Sequence, residues 1–595
     1  MGQRTNNTGM PPSSFDPVRP AVVLCTLNAK YIHASLGLRY LLANMADLRA
    51  HTVLREFTIA RKSQEMLDEL LTALGEPLAG QAQIIGFGVY IWNVTQTCDL
   101  VRLLKRQRPG IKIVLGGPEV SHEQEAQEIV RLADHVITGW GEGSFPKLCR
   151  ALMHGPQPLM KIIVGEQPPL DQIALPYGEY SAADLAHRVL YVEASRGCPF
   201  KCEFCLSSLD KTAWAFDQDA FLAELDSLYR RGARNFKFVD RTFNLKIDAS
   251  VRILQFFLDR LDRLAAGQFP AGGSAAPEVA NAGAQFPDGP PQGKLAPSGG
   301  SAVHEMASVG ASNLALHFEV IPDHLPDRLK DMIAQFPPGV LQFEVGIQSF
   351  NTEVQQCISR RQDNEKTVAN LRWLVEESNA HLHTDLIFGL PGESLDSFAA
   401  GFDRLYALKP HEIQLGILKR LRGTPIARHS LAHGMLYDPL PPYTVRQTGV
   451  ISAQDMQRFT RLARYWDLVA NSGRFGQTLR LLMLGASPFF AFMAFSDWLW
   501  QTTGKTSGLT PEDLVDSLFD YLTRERQADP QATRKALLAD YLQSGARASP
   551  KALQELLHHR PDGPGAQTQP IRAQATRQGR HTQMDKDKGS GSAVL

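Results

Sequence analysis

Short apolar runs rich in β-branched residues alternate with amphipathic helical patterns along most of this 595-residue chain. In the first part of the chain, predicted strands at 21–24, 84–89, 111–115 and 136–138 are separated by predicted helices at 36–48, 63–74 and 94–106. Strands that alternate with helices must be joined by crossover connections, so this order predicts a parallel sheet of the doubly wound, Rossmann-like type. In such sheets the ligands bind at the carboxyl ends of the strands.

A second β/α series begins at 189–194. Further strands are predicted at 235–239, 314–320, 341–347, 383–388 and 412–418, with helices such as 219–231 and 367–378 between them. Six parallel strands predict a partial, open (β/α)6 barrel of the TIM type, whose functional loops follow the strand ends. The pattern becomes helical from about residue 440.

These patterns predict an α/β protein with domains at 21–165, 185–425 and 440–560, the last one helical. Three polar or Gly- and Pro-rich segments cannot bury much apolar surface, and we expect them to be disordered. They are a leader at 1–20, an insertion at 266–311 and a tail at 561–595.

Composition narrows the possible partners and compartments. The chain has 62 basic and 62 acidic residues, so its charge does not favour nucleic acid. Seven cysteines in such a long chain do not form a disulfide framework. The N-terminus lacks a signal-peptide pattern, and the most apolar stretch, 481–496, is too short to span a bilayer. We therefore expect a cytoplasmic, soluble protein without stable membrane insertion.

Three cysteines follow the first strand of the second series directly. Cys198, Cys202 and Cys205 have the spacing C-x-x-x-C-x-x-C, and the aromatic Phe204 precedes the last of them. Three thiolates on one loop can each bind one iron of a [4Fe–4S] cluster, which leaves the fourth iron open to another ligand. A structural zinc site would need a fourth Cys or His nearby, and a redox pair would leave Cys198 unexplained; both remain alternatives.

This cysteine pattern, with its aromatic residue, resembles the signature of the radical S-adenosylmethionine (SAM) superfamily. The resemblance implies that Cys198, Cys202 and Cys205 hold a [4Fe–4S] cluster and that SAM chelates the open iron. It also implies cofactor contacts at Phe204 and at the ends of the second to fifth strands of the barrel. Those candidates are Asp240, Thr242, Glu319, Gln348, Ile387 and Phe388. Residues 346–351 and 385–393 also resemble the coproporphyrinogen dehydrogenase and B12-dependent groups of this superfamily.

The N-terminal series resembles the cobalamin-binding domain that is fused to many radical SAM enzymes. The resemblance is carried by segments 86–93, 114–119 and 137–143, in which glycines at strand ends let a bulky ligand approach the backbone. It implies cobalamin contacts at Asn28, His33, Ser35, Gly37, Tyr90, Gly116, Gly117, Glu119, Gly139, Gly141 and Glu142. Ordinary glycine turns or a nucleotide site remain alternatives, although no G-x-G-x-x-G follows the first strand.

The segment after the first strand departs from the histidine motif of cobalamin domains, D-x-H-x-x-G. The Asp is missing, and His33 lies four residues before Gly37 instead of three. A histidine ligand normally needs an acceptor that fixes its tautomer. We therefore do not expect His33 to be the axial ligand of cobalt.

Taken together, the chain resembles cobalamin-dependent radical SAM enzymes that carry an uncharacterised C-terminal helical domain. The resemblance implies an external electron donor of the flavodoxin or ferredoxin type and a 5′-deoxyadenosyl radical. It also implies methyl transfer from cobalamin to an unactivated carbon of an unknown small molecule. A cobalamin-dependent cyclase or oxidoreductase without methyl transfer, and a tRNA methylthiotransferase, remain alternatives. Of the other cysteines, we expect Cys25, Cys98, Cys149 and Cys357 to be core residues.

Overall fold

The computed structural model describes residues 20–77, 82–265, 314–544, 548–558 and Arg580. Within these ranges the chain divides into two compact units, Met1–Ser181 and Ala182–Leu595. Apart from Pro20 and Arg580, the segments predicted to be disordered at the two termini, together with the insertion at 266–311, lie outside the described residues.

The first unit contains a six-stranded sheet in the order β2-β1-β3-β4-β5-β6, in which all neighbouring strands are parallel. Its strands are β1 Val22–Asn28, β2 Thr52–Thr58, β3 Ile84–Gly88, β4 Lys112–Gly116, β5 His135–Thr138 and β6 Ile162–Val164. Its helices are α1 Leu36–Ala43, α2 Ser63–Leu74, α3 Val94–Gln107, α4 Glu128–Leu132 and α5 Ser144–His154. The strand order changes direction between β1 and β3, which is where ligands bind in such sheets.

Each face of this sheet has its own core because successive strand residues point to opposite sides. Val23 and Cys25 of β1 pack in one cluster with side chains of α2 and α3, including Cys98. Val22 of β1 packs in the other cluster with side chains of α1 and α5, including Cys149. The sheet is therefore doubly wound, as predicted, and the core positions expected for these three cysteines are confirmed.

The sequence did not predict β2 and β6. Strand β2 carries Arg55 and Glu56 in its middle, which breaks the apolar run, and β6 has three residues. Both lie at the edges of the sheet, where a strand needs less apolar surface.

The second unit contains another six-stranded sheet, in the order β14-β13-β12-β11-β10-β7, again with parallel neighbours throughout. Its strands are β7 Leu190–Val192, β10 Asn235–Phe238, β11 Ala315–Val320, β12 Leu341–Gln348, β13 His381–Phe388 and β14 Glu412–Ile417. The helices around it are α6 Ala182–His187, α7 Gln218–Arg230, α8 Ile247–Ala265, α9 Asp327–Ile333, α10 Thr352–Cys357, α11 Asn364–Glu377 and α12 Leu395–Ala407. Strands β7 and β14 form the two edges, so the sheet is an open, partial barrel, as predicted.

In the described part of this unit there are also two short antiparallel ribbons and six further α-helices. The ribbons pair β8 Ser195–Arg196 with β9 Trp214–Ala215, and β15 Leu436–Tyr437 with β16 Val445–Gln447. The helices are α13 Ala453–Val469, α14 Gly476–Leu482, α15 Pro488–Thr503, α16 Pro511–Asp520, α17 Pro530–Gln543 and α18 Gln554–His558. No helix in the described part of the chain has the length and apolar character that crossing a bilayer requires.

The C-terminal helices pack directly on the last two barrel strands. Phe388 of β13 stacks on Phe459 of α13, with ring centroids 3.9 Å apart. The indole of Trp466, also on α13, donates to the carbonyl of Ile413 on β14 at 2.8 Å. Buried aromatic pairs contribute about 0.5–1.5 kcal/mol beyond their burial, so this contact holds the helices to the barrel.

Candidate functional site

The cysteine loop is shaped by a glycine and by hydrogen bonds to its main chain. Gly197 has φ +83°, and a Cβ there would lie 2.6 Å from Oγ1 of Thr212, so no other residue fits this turn. The amide of Cys198 donates to the carbonyl of Asp210 at 2.9 Å. The hydroxyl of Ser208 donates to the carbonyls of Cys202 and Cys205 at 2.9 and 2.7 Å.

All three cysteines line one cavity of about 250 Å³ beside the carboxyl ends of barrel strands. Four of the sequence-predicted SAM contacts line it too, namely Phe204, Thr242, Glu319 and Gln348. Among the described residues that line it, there is no fourth cysteine and no histidine. This donor set fits a [4Fe–4S] cluster held at three irons, because a fourth protein ligand of the usual kind is missing from its wall.

Three arginines, Arg241, Arg360 and Arg361, bring positive charge to this cavity, and sequence reasoning did not select any of them. Arg360 places Nη1 3.6 Å from Sγ of Cys202 and donates from Nη2 to the carbonyl of Gly346. Arg241 donates to both oxygens of Glu319 at 2.9 Å. Burial raises the pKa of the Cys202 thiol, and the charge of Arg360 opposes that rise. Arg360 therefore favours the thiolate form that metal binding requires.

Charged side chains of neighbouring strands meet at Glu344, which lines the cavity. Oε2 of Glu344 on β12 accepts a hydrogen bond from Nζ of Lys237 at 3.3 Å and lies 3.0 Å from Nε2 of His317. Burial opposes the charge on Glu344, but the His317 hydrogen bond and Lys237 hold its pKa well below the usual range. Burial and the nearby Lys237 lower the pKa of His317 to about 4, so its imidazole is neutral.

Asp385 of β13 lines the same cavity, but its surroundings shift its pKa in the direction opposite to that of Glu344. Burial, followed by the charges of Glu344 and Glu319, raises its pKa well above the usual range and so favours the neutral carboxyl group. Its buried Oδ1 has no hydrogen-bond partner within the described ranges. A buried polar atom without a partner is costly, so this carboxyl fits a polar ligand in the cavity.

Three other predicted SAM contacts lie outside the cavity wall. Asp240 is buried and accepts hydrogen bonds from the amide of Ala194 and the hydroxyl of Ser195, at 2.9 and 2.5 Å, so it fixes the chain after β7. The Phe388 side chain packs in the core against Phe459. Ile387 precedes it on β13 and is partly exposed, but it does not line the cavity.

In the first unit, Asn93 fixes the switch point of the sheet. This residue has no exposed surface, and its Nδ2 lies 3.0 Å from the carbonyl of Leu27 and 3.2 Å from that of Gly88. Its Oδ1 accepts from the amide of Tyr90 at 2.8 Å. One side chain thus ties the carboxyl end of β1 to the end of β3. The sequence contains Asn93 in the segment 86–93, but nothing there indicates this role.

The loop after β1 is organised by Glu56 of β2, a residue that sequence reasoning missed along with its strand. The carboxylate of Glu56 accepts from Nδ2 of Asn28 at 3.0 Å, from the amide of Ser35 at 2.6 Å and from Arg39 at 2.8 Å. Asn28 also donates to the carbonyl of His33 at 2.8 Å. Three predicted cobalamin contacts are thereby brought together. A Cβ on the fourth, Gly37, would lie 3.5 Å from the hydroxyl of Tyr90.

The other predicted cobalamin contacts follow β4 and β5. Gly117 has φ +106°, and a Cβ there would lie 2.5 Å from the carbonyl of Val89, so the residue after Gly116 must be glycine. Gly139 has φ +71°, and no atom lies within 4 Å of the position that a Cβ would take there. Glu119 and Glu142 are buried, and a Cβ on Gly141 would contact Leu41 at 2.9 Å, so these three positions pack within the unit.

Exposed aromatic rings stand at the same edge of the sheet. Trp92 is 41% exposed and stacks on Tyr90 with ring centroids 4.4 Å apart, and Tyr31 is 55% exposed. Large exposed aromatic groups beside open glycine backbone, as at Gly139, fit a bulky ligand with an apolar face. The residues present therefore fit cobalamin at this edge.

Cys357 corrects one expectation from the sequence. It ends α10, as expected of a helical residue, but it is partly exposed instead of buried in the core. Its sulfur faces two imidazoles, those of His429 and His433. The sequence signal for this group is the H-x-x-x-H spacing of the two histidines, which lie far from Cys205 in the sequence.

Comparison with known protein families agrees with these two sites. Residues 22–149 match the B12 binding domain family, residues 192–405 the radical SAM superfamily, and residues 432–582 a family of unknown function, DUF4080. The chain thus combines a B12 binding domain, a radical SAM domain and a C-terminal domain of unknown function. Its cofactors are accordingly a [4Fe–4S] cluster, SAM and cobalamin.

Individual relatives are more distant. The chain is 32% identical over 206 residues to the uncharacterized methyltransferase PH0819 of Pyrococcus horikoshii, a match that covers 30% of this chain and 44% of the relative. Its fold is similar to that of the radical SAM methyltransferase TsrM of Kitasatospora setae, with a TM-score of 0.50, 16% identity and coverage of 71% and 80% of the two chains. The cobalamin-dependent SAM radical enzyme OxsB gives a TM-score of 0.55 at 12% identity over 90% and 83%. The chain spans less than half the length of the curated relatives it matches.

Proposed function

We propose that this chain is a cobalamin-dependent radical SAM methyltransferase that acts on an unactivated carbon of a small molecule. The observation that carries the proposal is the cavity at the cysteine loop, with three thiols and no fourth thiol or imidazole among the described residues of its wall. Its presence on the same chain as a B12 binding domain supports the use of both cofactors in one reaction. The similarity to an uncharacterized methyltransferase supports methyl transfer as the outcome.

When bound, these groups supply one-electron cleavage of the SAM sulfonium and a methyl group carried on cobalt. The protein must supply thiolates, charge and orientation. Burial raises the pKa of the Cys198 and Cys202 thiols, so binding of iron displaces their protons. Arg360, at 3.6 Å from Cys202, stabilises the negative charge on sulfur once the proton has left.

Two carboxyl groups of the cavity have distinct parts in this proposal. Glu319 is fixed by two hydrogen bonds from Arg241, so it presents an oriented acceptor to amine or hydroxyl groups of SAM. The raised pKa of Asp385 favours its neutral carboxyl, which donates its O–H to a ligand without placing a second negative charge beside Glu344. The pair thus offers one acceptor and one donor at the strand ends.

The proposal is tested with protein reconstituted without oxygen and supplied with SAM, a strong reductant and candidate substrates. We expect both 5′-deoxyadenosine and S-adenosylhomocysteine, and a product heavier by one methyl group. Deoxyadenosine without S-adenosylhomocysteine, together with a product that gains no methyl, would contradict methyl transfer and would instead support a cobalamin-dependent cyclase or oxidoreductase.

Substitutions at two cysteines provide a test variant and its matched control. Cys202→Ala removes one thiol of the cavity and should abolish cluster absorbance and SAM cleavage while cobalamin stays bound. Cys98→Ala removes a thiol from the core of the first unit and should leave both properties unchanged. Retained SAM cleavage in Cys202→Ala would refute the assignment of the cluster ligands.

A further inference from the structure

A second group of metal-binding side chains lies in the same unit as the barrel, outside the wall of the cluster cavity. Sγ of Cys357 is 3.6 Å from Nδ1 of His429 and 3.6 Å from Nε2 of His433. The three potential ligand atoms all lie within 4.8 Å of one another. The amide of His433 donates to the carbonyl of His429 at 3.0 Å, so one helical turn separates the histidines and directs both rings to one side.

These separations match a tetrahedral zinc site. Zn–S bonds of about 2.3 Å and Zn–N bonds of about 2.0–2.1 Å, at a tetrahedral angle of about 109°, put sulfur and nitrogen about 3.6 Å apart. Both sulfur–nitrogen distances of Cys357 have this value. One ion could therefore bind all three atoms with little movement of the side chains.

Glu203 orients the imidazole of His429 for metal binding. Its carboxylate lies 2.8 Å from Nε2 of His429 and is itself fixed by Arg428 and Ser359. This carboxylate oxygen accepts a hydrogen bond from Nε2 and so favours the tautomer of His429 whose ring proton is on Nε2. The lone pair of His429 Nδ1 then points toward Cys357. A carboxylate behind a histidine is the usual second layer of a zinc site.

We propose that Cys357, His429 and His433 bind one Zn²⁺ ion, through Sγ, Nδ1 and Nε2 respectively, with a fourth position left for water or another ligand. One thiolate and two imidazoles suit zinc better than magnesium or calcium, which take oxygen ligands.

The ion would join segments that are far apart in the sequence. Cys357 ends α10, the histidines follow β14, and Glu203 is the neighbour of the cluster ligand Cys202. The amide of Glu203 also donates to the carbonyl of Ile358, at 3.0 Å. Zinc would therefore brace the backbone of the cysteine loop from behind, which gives the site a structural role that does not depend on methyl transfer.

The test is metal analysis of the full chain, purified without a histidine tag or chelator and reconstituted without oxygen. We expect roughly one zinc per chain beside about four irons. X-ray absorption at the zinc edge should show one sulfur at about 2.3 Å and nitrogen at about 2.0 Å. Cys357→Ser and His433→Asn should each lose zinc, whereas Cys98→Ala should keep it.

Two controls separate zinc binding from folding and from the cluster. Far-UV circular dichroism and cobalamin retention of Cys357→Ser report whether that variant still folds, and neither depends on the cysteine loop. Cys202→Ala should lose iron and keep zinc, a result independent of any activity. The proposal is overturned if the purified chain holds no zinc and takes up none when Zn²⁺ is added. It is also overturned if zinc stays in Cys357→Ser but leaves Cys202→Ala. Five irons without zinc would overturn the choice of metal.

Discussion

Replacement of Glu56 by glutamine should destabilise the first unit strongly, although the change is isosteric. Glu56 and Arg39 form an ion pair at 2.8 Å, with side chains that are 6% and 2% exposed. Glu56→Gln removes the carboxylate that pairs with this buried guanidinium, and breaking a buried ion pair costs about 3–5 kcal/mol. The amide of Ser35 and Nδ2 of Asn28 also lose a charged acceptor.

Hydrogen exchange of the full chain measures this loss locally. At about 1.4 kcal/mol per tenfold, amides of β1 should exchange about 100-fold to several thousand-fold faster in the variant. Cobalamin retention, read by absorbance in the same samples, should fall as well, because Glu56 positions the loop after β1. The matched control is Glu69→Gln, whose carboxylate pairs with Arg61 at the same 2.8 Å but is 40% exposed, so its loss should cost less than about 1 kcal/mol. Equal exchange in the two variants would refute the reasoning.

Three further predictions concern the barrel. Gly197→Ala should reduce iron uptake severalfold on reconstitution, because its Cβ would collide with Thr212 at a positive φ; wild-type iron content would contradict the assigned turn. Burial raises the pKa of Asp240 to about 7, so the folded state keeps a proton that the unfolded chain releases above about pH 4. Stability of the wild type relative to Asp240→Asn should therefore fall as pH rises between about 4 and 7, by up to about 1.4 kcal/mol per pH unit, in denaturant titrations; parallel curves would exclude the shift. Arg360→Met should lower the midpoint potential of the cluster by about 59 mV for each 1.4 kcal/mol of lost stabilisation, with Arg360→Lys closer to wild type in an EPR-monitored titration; an unchanged potential would remove Arg360 from the environment of Cys202.

The fold could be predicted wherever buried residues give the sequence a recognisable apolar pattern. Strands β3 and β4 of the first sheet are nearly continuous apolar runs because helices cover both of their faces, whereas the barrel strand β12 alternates apolar and polar residues. Both patterns are typical of strands, so the positions of these strands could be inferred within a few residues. Strand β2 was missed because Arg55 and Glu56 interrupt its apolar run, and Glu56 is there to bind the loop after β1. Charged residues that make such a contact interrupt the apolar pattern by which a strand is recognised in the sequence.

The candidate site likewise contains some residues that the sequence alone reveals and others that only the structure reveals. The cysteines could be found because three ligands on one loop leave a local spacing, and Gly197 and Phe204 are close to them in sequence. Arg360 lies 158 residues from Cys202, and the contact between them depends on how β12 and α10 place the chain. Cys357 and His429 are 72 residues apart, so only the structure brings them together.

Glu203 has a consequence for anyone who shortens or recombines this chain. Its buried carboxylate is neutralised by Arg428 and hydrogen-bonded to His429, both beyond residue 405, where the match to the radical SAM superfamily ends. A fragment cut at that limit would keep every cysteine of the loop and yet leave an unpaired anion directly beside Cys202. Chimeras that exchange the C-terminal region should therefore be joined after residue 433, not at the family limit.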